Sequence, residues 1–307
     1  MKFEISVIIC TYNPKETYIN QAIDAILNQD FPKGKWEFFI VDNNSSFKVA
    51  DIKKIKENNI KVIEETTPGL TAARECGARN ANGDIIVFVD DDNILKEDYL
   101  TNVSLIFEKY KDLGVVSGEI LPIYEVEPPK WFYHFENSIA VRRFKNNFNY
   151  FTRIPVYNIF FPIGAGMSIR KDILIQYFED LKRNIRIEGR RGNSLSSGED
   201  LDIDFYALSL GYEIGSTKRL SLKHIIPKSR IDKNYLIRLN SASLKSSLEI
   251  KKKWENIFYQ TIFDFFRINK YLLFIKTVLV LPLIFIKSFS IRFNSYISLL
   301  RITIKEI

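Results

Sequence analysis

The sequence predicts an α/β protein built on a mostly parallel, Rossmann-like sheet flanked by helices. Three observations carry that expectation. Short apolar runs alternate with helical patterns through the first 120 residues, the alternation that builds parallel sheets. One run, inside GDIIVFVDDDN at 83–93, is apolar at every position from Ile85 to Val89, as expected of a strand covered on both faces. Compact polar segments follow three of the runs, and open α/β sheets bind ligands at strand carboxyl ends.

The elements follow in order. A first strand at 5–10 ends in Thr11, Tyr12, Asn13 and Pro14. A helix over 15–29 leads to a strand at 36–41, which ends in Asp42, Asn43, Asn44 and Ser45. A helix over 50–56, a strand at 60–63, a small-residue helix over 69–81, the 85–89 strand, a helix over 97–111 and a strand at 114–117 complete the alternation. From 120 to 191 the chain reads as irregular and aromatic, with Pro128, Pro129, Trp131 and the Gly164-Ala165-Gly166 turn as landmarks. A second acidic cluster, Glu199, Asp200, Asp202 and Asp204, opens a helix through Leu210. From about Asn234 the chain reads as helical, basic and finally very apolar. The expected division is a domain over 1–230, in two halves at 1–120 and 121–230, followed by a helical C-terminal extension at 231–307.

Composition is globular: 46% hydrophobic and 26% charged, in 307 residues. Two cysteines, Cys10 and Cys76, give no disulfide framework and point to a reducing compartment. Met1 leads almost directly into the first strand, so no signal peptide is expected. The net charge of +7 is unevenly distributed. From residue 218 onward there are 18 Lys and Arg against five Asp and Glu, leaving 26 against 32 before it. A basic tail suggests an anionic surface as partner.

Three consecutive carboxylates, Asp90, Asp91 and Asp92, end the 85–89 run. Asp90 and Asp92 share a side if strand geometry persists, and two oxygen ligands suit a hard divalent cation that also holds phosphates. A solvated loop cap is the alternative. Ser197-Gly198-Glu199-Asp200 fits a capping box, yet a carboxylate there equally suits a general base. His224, one of two histidines, reads either as a structural imidazole or as a metal ligand beside carboxylates.

Thr11-Tyr12-Asn13, Val41 through Ser45, Gly69 through Arg74, the three aspartates and Gly198-Glu199-Asp200 occur in an order that resembles the family 2 inverting glycosyltransferases of GT-A fold. The resemblance covers about residues 4–230. It implies that Thr11, Tyr12 and Asn13 line a nucleotide pocket, that Asp42 bonds the base or ribose, and that Arg74 reaches the pyrophosphate. Ordinary turn chemistry is the alternative for Thr11 to Asn13 and for Asp42, and a solvated surface residue is the alternative for Arg74. The resemblance further implies Asp90 near the ribose, Asp91 turned away or on the sugar, and Asp92 on Mn²⁺ or Mg²⁺, with Asp90 and His224 as further ligands. Asp200 is implied as catalytic base beside Glu199, and Arg230 as a phosphate contact on a closing lid. The family often has a second acidic residue where Asn43 stands, which leaves the base open between uracil and thymine. The 164–167 turn is implied to cradle donor sugar and acceptor, and Trp131 suits either stacking on a sugar ring or burial beside Pro128 and Pro129.

In the tail, Trp254, Ile257, Phe258, Ile262, Phe265 and Phe266 recur at helical spacing. Residues 271–286 are apolar except for Lys276, too short to span a bilayer. Lys276, Lys287, Asn294, Arg301 and Lys305 lie roughly on one stripe, which suits an anionic membrane surface. Packing within protein is the alternative. Large aliphatics interleave the basic residues, which argues against a nucleic-acid groove. The expected activity is metal-dependent, inverting transfer from a nucleoside-diphosphate sugar to a glycan or lipid-linked acceptor. The expected location is cytoplasmic, on the inner face of the membrane, with oligomeric state open. A sugar-phosphate nucleotidyltransferase is the rival enzyme class, but residues 11–14 lack its Gly-rich basic loop. A non-catalytic carbohydrate-binding protein is the other rival.

Overall fold

The computed structural model describes residues 3–155, 157–181, 187, 189–190, 195 and 197–254. Strands β1 (Ile5–Thr11), β2 (Trp36–Asp42), β3 (Lys61–Glu64) and β4 (Ile85–Val89) alternate with helices α1 (Glu16–Leu27), α2 (Lys53–Glu57) and α3 (Leu70–Asn80). The 50–56 helix breaks in two, a 3-10 turn Val49–Asp51 and α2, because Ile52 between them is extended. Then come β5 (Asn93–Leu95), α4 (Tyr99–Lys109) and β6 (Leu113–Tyr124). β6 runs far beyond the four residues expected, because β9 (Glu213–Ile226) pairs along its whole length.

The stretch expected to be irregular holds a 3-10 helix (Lys130–Ile139), β7 (Asn149–Thr152), β8 (Ser168–Arg170) and α5 (Lys171–Leu181). The signal for α5 was present. Ile173, Leu174, Tyr177, Phe178 and Leu181 are its buried residues, at helical spacing. Helix α6 (Glu199–Ser209), β9, a short 3-10 turn (Lys228–Ile231) and α7 (Lys233–Trp254) complete the described chain.

The sheet order is β3-β2-β1-β4-β8-β6-β9-β5, with β7 paired to β9. Pairing is parallel among β3, β2, β1 and β4 and between β6 and β9, and antiparallel elsewhere. The sheet is therefore mixed, more so than the alternation predicts, because β8 enters between β4 and β6 in the opposite direction. Both faces are covered. Ile85, Val87 and Val89 point into the core with α1 and α4, while Ile86 and Phe88 point into the core with α3, α5 and α6. That double burial explains the uninterrupted apolar run.

Helix α7 belongs to this packing. Leu236 and Leu239 join Phe132, Phe135 and Ile226 in a third cluster, and Ile250 and Trp254 enter the core of α5 and α6. Among the described residues no helix is long and apolar enough to cross a membrane. The tail stripe at 257–305 lies outside the described residues.

Candidate active site

The carboxyl ends of β1, β2 and β4 and the start of α6 open onto one cavity of about 560 Å³. Its wall includes Thr11, Tyr12, Asn43 and Asn44, then Asp90, Asp91 and Asp92 at the floor with His224 and Arg230 against Asp92, and Glu199 and Asp200 at the start of α6. Asp92 and Asp200, drawn from segments more than a hundred residues apart, thus face a common space.

The loop after β1 is tied to its neighbours. Thr11 Oγ1 donates to Asp91 Oδ2. Asn13, in a left-handed conformation at φ 51°, accepts from Ser46 N and Oγ, both at 2.8 Å. Asn13 therefore staples two loops and is absent from the cavity wall, while Thr11 and Tyr12 line it, Tyr12 at 54% exposure. Asp42 is buried and turned into its own loop, accepting from Ser45 N at 3.1 Å and Val49 N at 3.4 Å. The cavity wall at that point is Asn43 and Asn44. Asn43 accepts from Gly69 N at 2.6 Å and donates to Thr67 O at 2.7 Å, fixing the approach to α3.

Arg74 differs most from expectation. Its side chain is 3% exposed, its guanidinium lies over the Phe88 ring, and Nη1 donates to Asp200 Oδ1 at 2.6 Å and Glu199 Oε1 at 3.3 Å. The solvated-surface alternative is excluded, and the guanidinium faces carboxylates where a pyrophosphate contact was expected. Glu199, 2% exposed, also accepts from Thr71 Oγ1 at 2.7 Å. Asp200 Oδ2 accepts from Gly164 N at 2.8 Å, while its side chain keeps 34% exposure. Gly164 has no room for a side chain, since a Cβ there would clash with Arg74 Nη2 and lie 2.8 Å from Asp200 Oδ1. Burial opposes ionisation of Asp200, but Arg74 and the Gly164 amide outweigh it and hold the carboxyl below its usual range. Burial, with the charge of Asp200 adding to it, pushes Glu199 up.

The aspartates at β4 behave otherwise. Burial and the neighbouring Asp92 push Asp91 up to about 7, and the same two causes raise Asp90. Burial opposes the ionisation of Asp92 too, but His224 and Arg230 draw its carboxyl down to about 2. His224 Nε2 lies 3.4 Å from Asp92 Oδ2, Arg230 Nη2 lies 3.1 Å from the same oxygen, and Arg230 Nη1 lies 2.8 Å from His224 Nε2. His224 Nδ1 is buried with no hydrogen-bond partner among the described residues. Two carboxylates and an imidazole are a donor set that suits Mn²⁺ or Mg²⁺. Among the described residues, however, no group of three such side chains converges as a ready ion site. Arg230 supplies the positive charge next to Asp92.

Helix α6 starts at Gly198 without a side-chain cap. The capping box does not form, because Ser197 Oγ faces Ser243 Oγ of α7 at 3.2 Å. Trp131 packs edge-on against Phe132 and Phe135 and is absent from the cavity wall. Thr71, Arg190 and Tyr235 belong to the site or its wall and were not singled out beforehand. Thr71 stood in plain view inside the Gly69–Arg74 motif, but nothing in the sequence pairs it with Glu199.

This arrangement, a cavity large enough for a small-molecule ligand, an acidic floor and a further carboxylate at α6, agrees with what the comparisons find. The model of glycosyl transferase family 2 matches residues 6–178. The chain belongs to that family: it is a glycosyltransferase of GT-A fold. It is 25% identical over 264 residues to an uncharacterized glycosyltransferase of Methanocaldococcus jannaschii, covering 82% of this chain and 80% of that one. It is 24% identical over 273 residues to a dolichyl N-acetyl-alpha-D-glucosaminyl phosphate 3-beta-D-2,3-diacetamido-2,3-dideoxy-beta-D-glucuronosyltransferase of Methanococcus voltae, covering 85% and 78%. The crystal structure of Staphylococcus aureus TarS 1–349 in complex with UDP-GlcNAc superposes with a TM-score of 0.53 at 18% identity, over 88% of this chain and 75% of that one. Full-length TarS, a poly(ribitol-phosphate) beta-N-acetylglucosaminyltransferase, aligns over 36% of this chain and 19% of its own length.

Proposed function

We propose that the protein transfers a sugar, with inversion, from a UDP- or dTDP-sugar to a hydroxyl of a glycan or lipid-linked acceptor. The observation that carries this reading is Asp200, the one carboxylate of the Arg74 cluster with an exposed face, looking into the cavity that holds the β4 aspartates. Asp200 takes the proton of the acceptor hydroxyl. The freed oxygen pair attacks the anomeric carbon from the side opposite the diphosphate, whose bond to that carbon breaks and whose oxygen keeps the electrons. One displacement inverts the centre. Arg74 keeps Asp200 ionised for this role, and Gly164 N–H fixes one of its oxygens so that the other lone pairs face the acceptor.

Tyr12, Asn43 and Asn44 bound the space for the nucleoside. Arg230, 24% exposed and on the cavity wall, offers a guanidinium to the diphosphate, and its planar fork suits that group. Asp90, Asp92 and His224 would hold Mn²⁺ or Mg²⁺, which neutralises charge on a departing diphosphate when bound. The basic, apolar 255–307 segment is proposed to rest on an anionic membrane surface at the cytoplasmic face, near lipid-linked acceptors, as its sequence pattern supports. The relative in Methanococcus voltae, named for a dolichyl phosphate-linked sugar, is in keeping with such an acceptor.

A thermal-shift screen of UDP-GlcNAc, UDP-glucose and dTDP-glucose, with and without Mn²⁺, tests the reading. A donor at 100 times its dissociation constant should stabilise the chain by about 2.7 kcal/mol. Silence toward every nucleotide sugar, or pyrophosphate release from UTP and a sugar phosphate, would overturn it.

A further inference from the structure

Helix α6 presents Asp200 to the cavity, and Asp202 follows two residues later, about 200° around the helix. Asp202 is therefore on the back of the turn that carries the base, and it is fully buried. Three donors from two other helices converge on it. Tyr177 OH of α5 donates to Oδ2 at 2.8 Å, Lys253 Nζ of α7 to the same oxygen at 2.7 Å, and Trp254 Nε1 of α7 to Oδ1 at 2.7 Å. A carboxylate so placed needs its partners, since burial without them is costly. The contact continues along α7. Ser246 Oγ accepts from Ser197 N at 3.3 Å, and Gly198 lies so close to α7 that a Cβ would sit 2.9 Å from Ile250 Cδ1 and 3.1 Å from Ser246 Cβ. The first turn of α6 is thus held from behind by α7 and from the front by Arg74 and Gly164.

We infer that Lys253 and Trp254 are positioning residues for the reaction: by gripping Asp202 they set the orientation in which Asp200 meets the acceptor hydroxyl. The inference rests on Asp200 being the base. It is separable from that reading, because Lys253 and Trp254 are absent from the cavity wall. Neither approaches the space for the nucleotide, so their loss should alter the chemical step and leave donor binding alone.

The test uses the full chain with Lys253→Met, Trp254→Phe, Lys253→Arg and, as reference, Asp200→Asn. UDP affinity is measured by titration calorimetry, and kcat and KM by UDP release from the UDP-sugar found in the thermal-shift screen. Misplacing a catalytic group by about 1 Å costs on the order of 100-fold in rate. Lys253→Met and Trp254→Phe should therefore lower kcat by about 10- to 100-fold with UDP affinity and donor KM within about twofold of the parent. Lys253→Arg, which keeps charge and donors, should recover most of kcat. If Lys253→Met does not fold, Trp254→Phe and Lys253→Arg carry the comparison. Unchanged kcat in the foldable variants, or a kcat loss matched by equal loss of UDP binding, overturns the positioning role. Full transfer by Asp200→Asn overturns the base assignment instead.

Discussion

At the end of β4, Asp90, Asp91 and Asp92 follow one another along the chain. Across the cavity, Glu199 and Asp200 also adjoin in sequence but meet a buried arginine from α3. The first cluster has acid crowded on acid, so Asp91 is pushed up to about 7 by burial and Asp92. In the second, Arg74 outweighs burial and keeps Asp200 below its ordinary range. The β4 wall sets three acids against one guanidinium, Arg230 at Asp92, whereas the other wall has a buried guanidinium bonded to both of its carboxylates. A donor diphosphate with its cation suits the first wall, and proton abstraction suits the second, which needs a carboxylate ionised before the acceptor arrives.

Asp200→Asn breaks this contrast most severely. The amide cannot accept the acceptor proton, and general-base catalysis is worth about 10²- to 10⁴-fold. Transfer should fall by that factor while UDP affinity by calorimetry is retained. Equal loss of UDP binding would place Asp200 in the nucleotide pocket and dissolve the distinction between the walls.

Arg74→Met comes next. It strips the charge from between two carboxylates, one of them 2% exposed, and breaking such a buried pair costs about 3–5 kcal/mol. Its pH signature has a definite direction. Asp200 has a depressed value in the folded chain, so the stabilisation from Arg74 is present above the unfolded aspartate value of about 3.9 and is lost as pH falls through the lower folded one. In the variant, burial acts on Asp200 with its largest opponent gone and the Gly164 amide left, and the acid limb of kcat/KM should move to higher pH. A chemical denaturation midpoint and a pH–rate profile measure the two effects. An unmoved acid limb would mean that Arg74 does not set the ionisation of Asp200.

The two walls were unequally legible in the sequence. Asp90 to Asp92 lie at the end of a strand whose double burial is written in five consecutive apolar residues, so position follows from pattern. The loops after β1 and β2 were legible as places but not as contacts. Asn13 and Asp42 hold loops, which no spacing rule separates from touching a ligand. Arg74 was found as a residue, but its carboxylate partners were not, because the pairing spans more than a hundred residues of sequence. Helix α5 was missed although its spacing was visible, and the antiparallel entry of β8 leaves no periodic trace. The grip of Lys253 and Trp254 on Asp202 is a tertiary event with no local signature.

The smallest expected effect probes the acidic floor. Arg230 Nη2 lies 3.1 Å from Asp92 Oδ2 and Nη1 lies 2.8 Å from His224 Nε2, so one guanidinium touches two of the three groups proposed as ion ligands. An ion and Arg230 would then compete for Asp92. Arg230→Gln removes the competitor while keeping a polar side chain of similar reach. Mn²⁺ binding, followed by electron paramagnetic resonance without nucleotide, should tighten by up to about tenfold, equivalent to about 1.4 kcal/mol. UDP affinity should weaken over the same range, because the diphosphate loses a charge-assisted partner. Opposite movement of the two affinities is the diagnostic result. Weaker Mn²⁺ binding in the variant would show that Arg230 helps to build the ion site, and the floor would then share the built-in positive charge of the opposite wall.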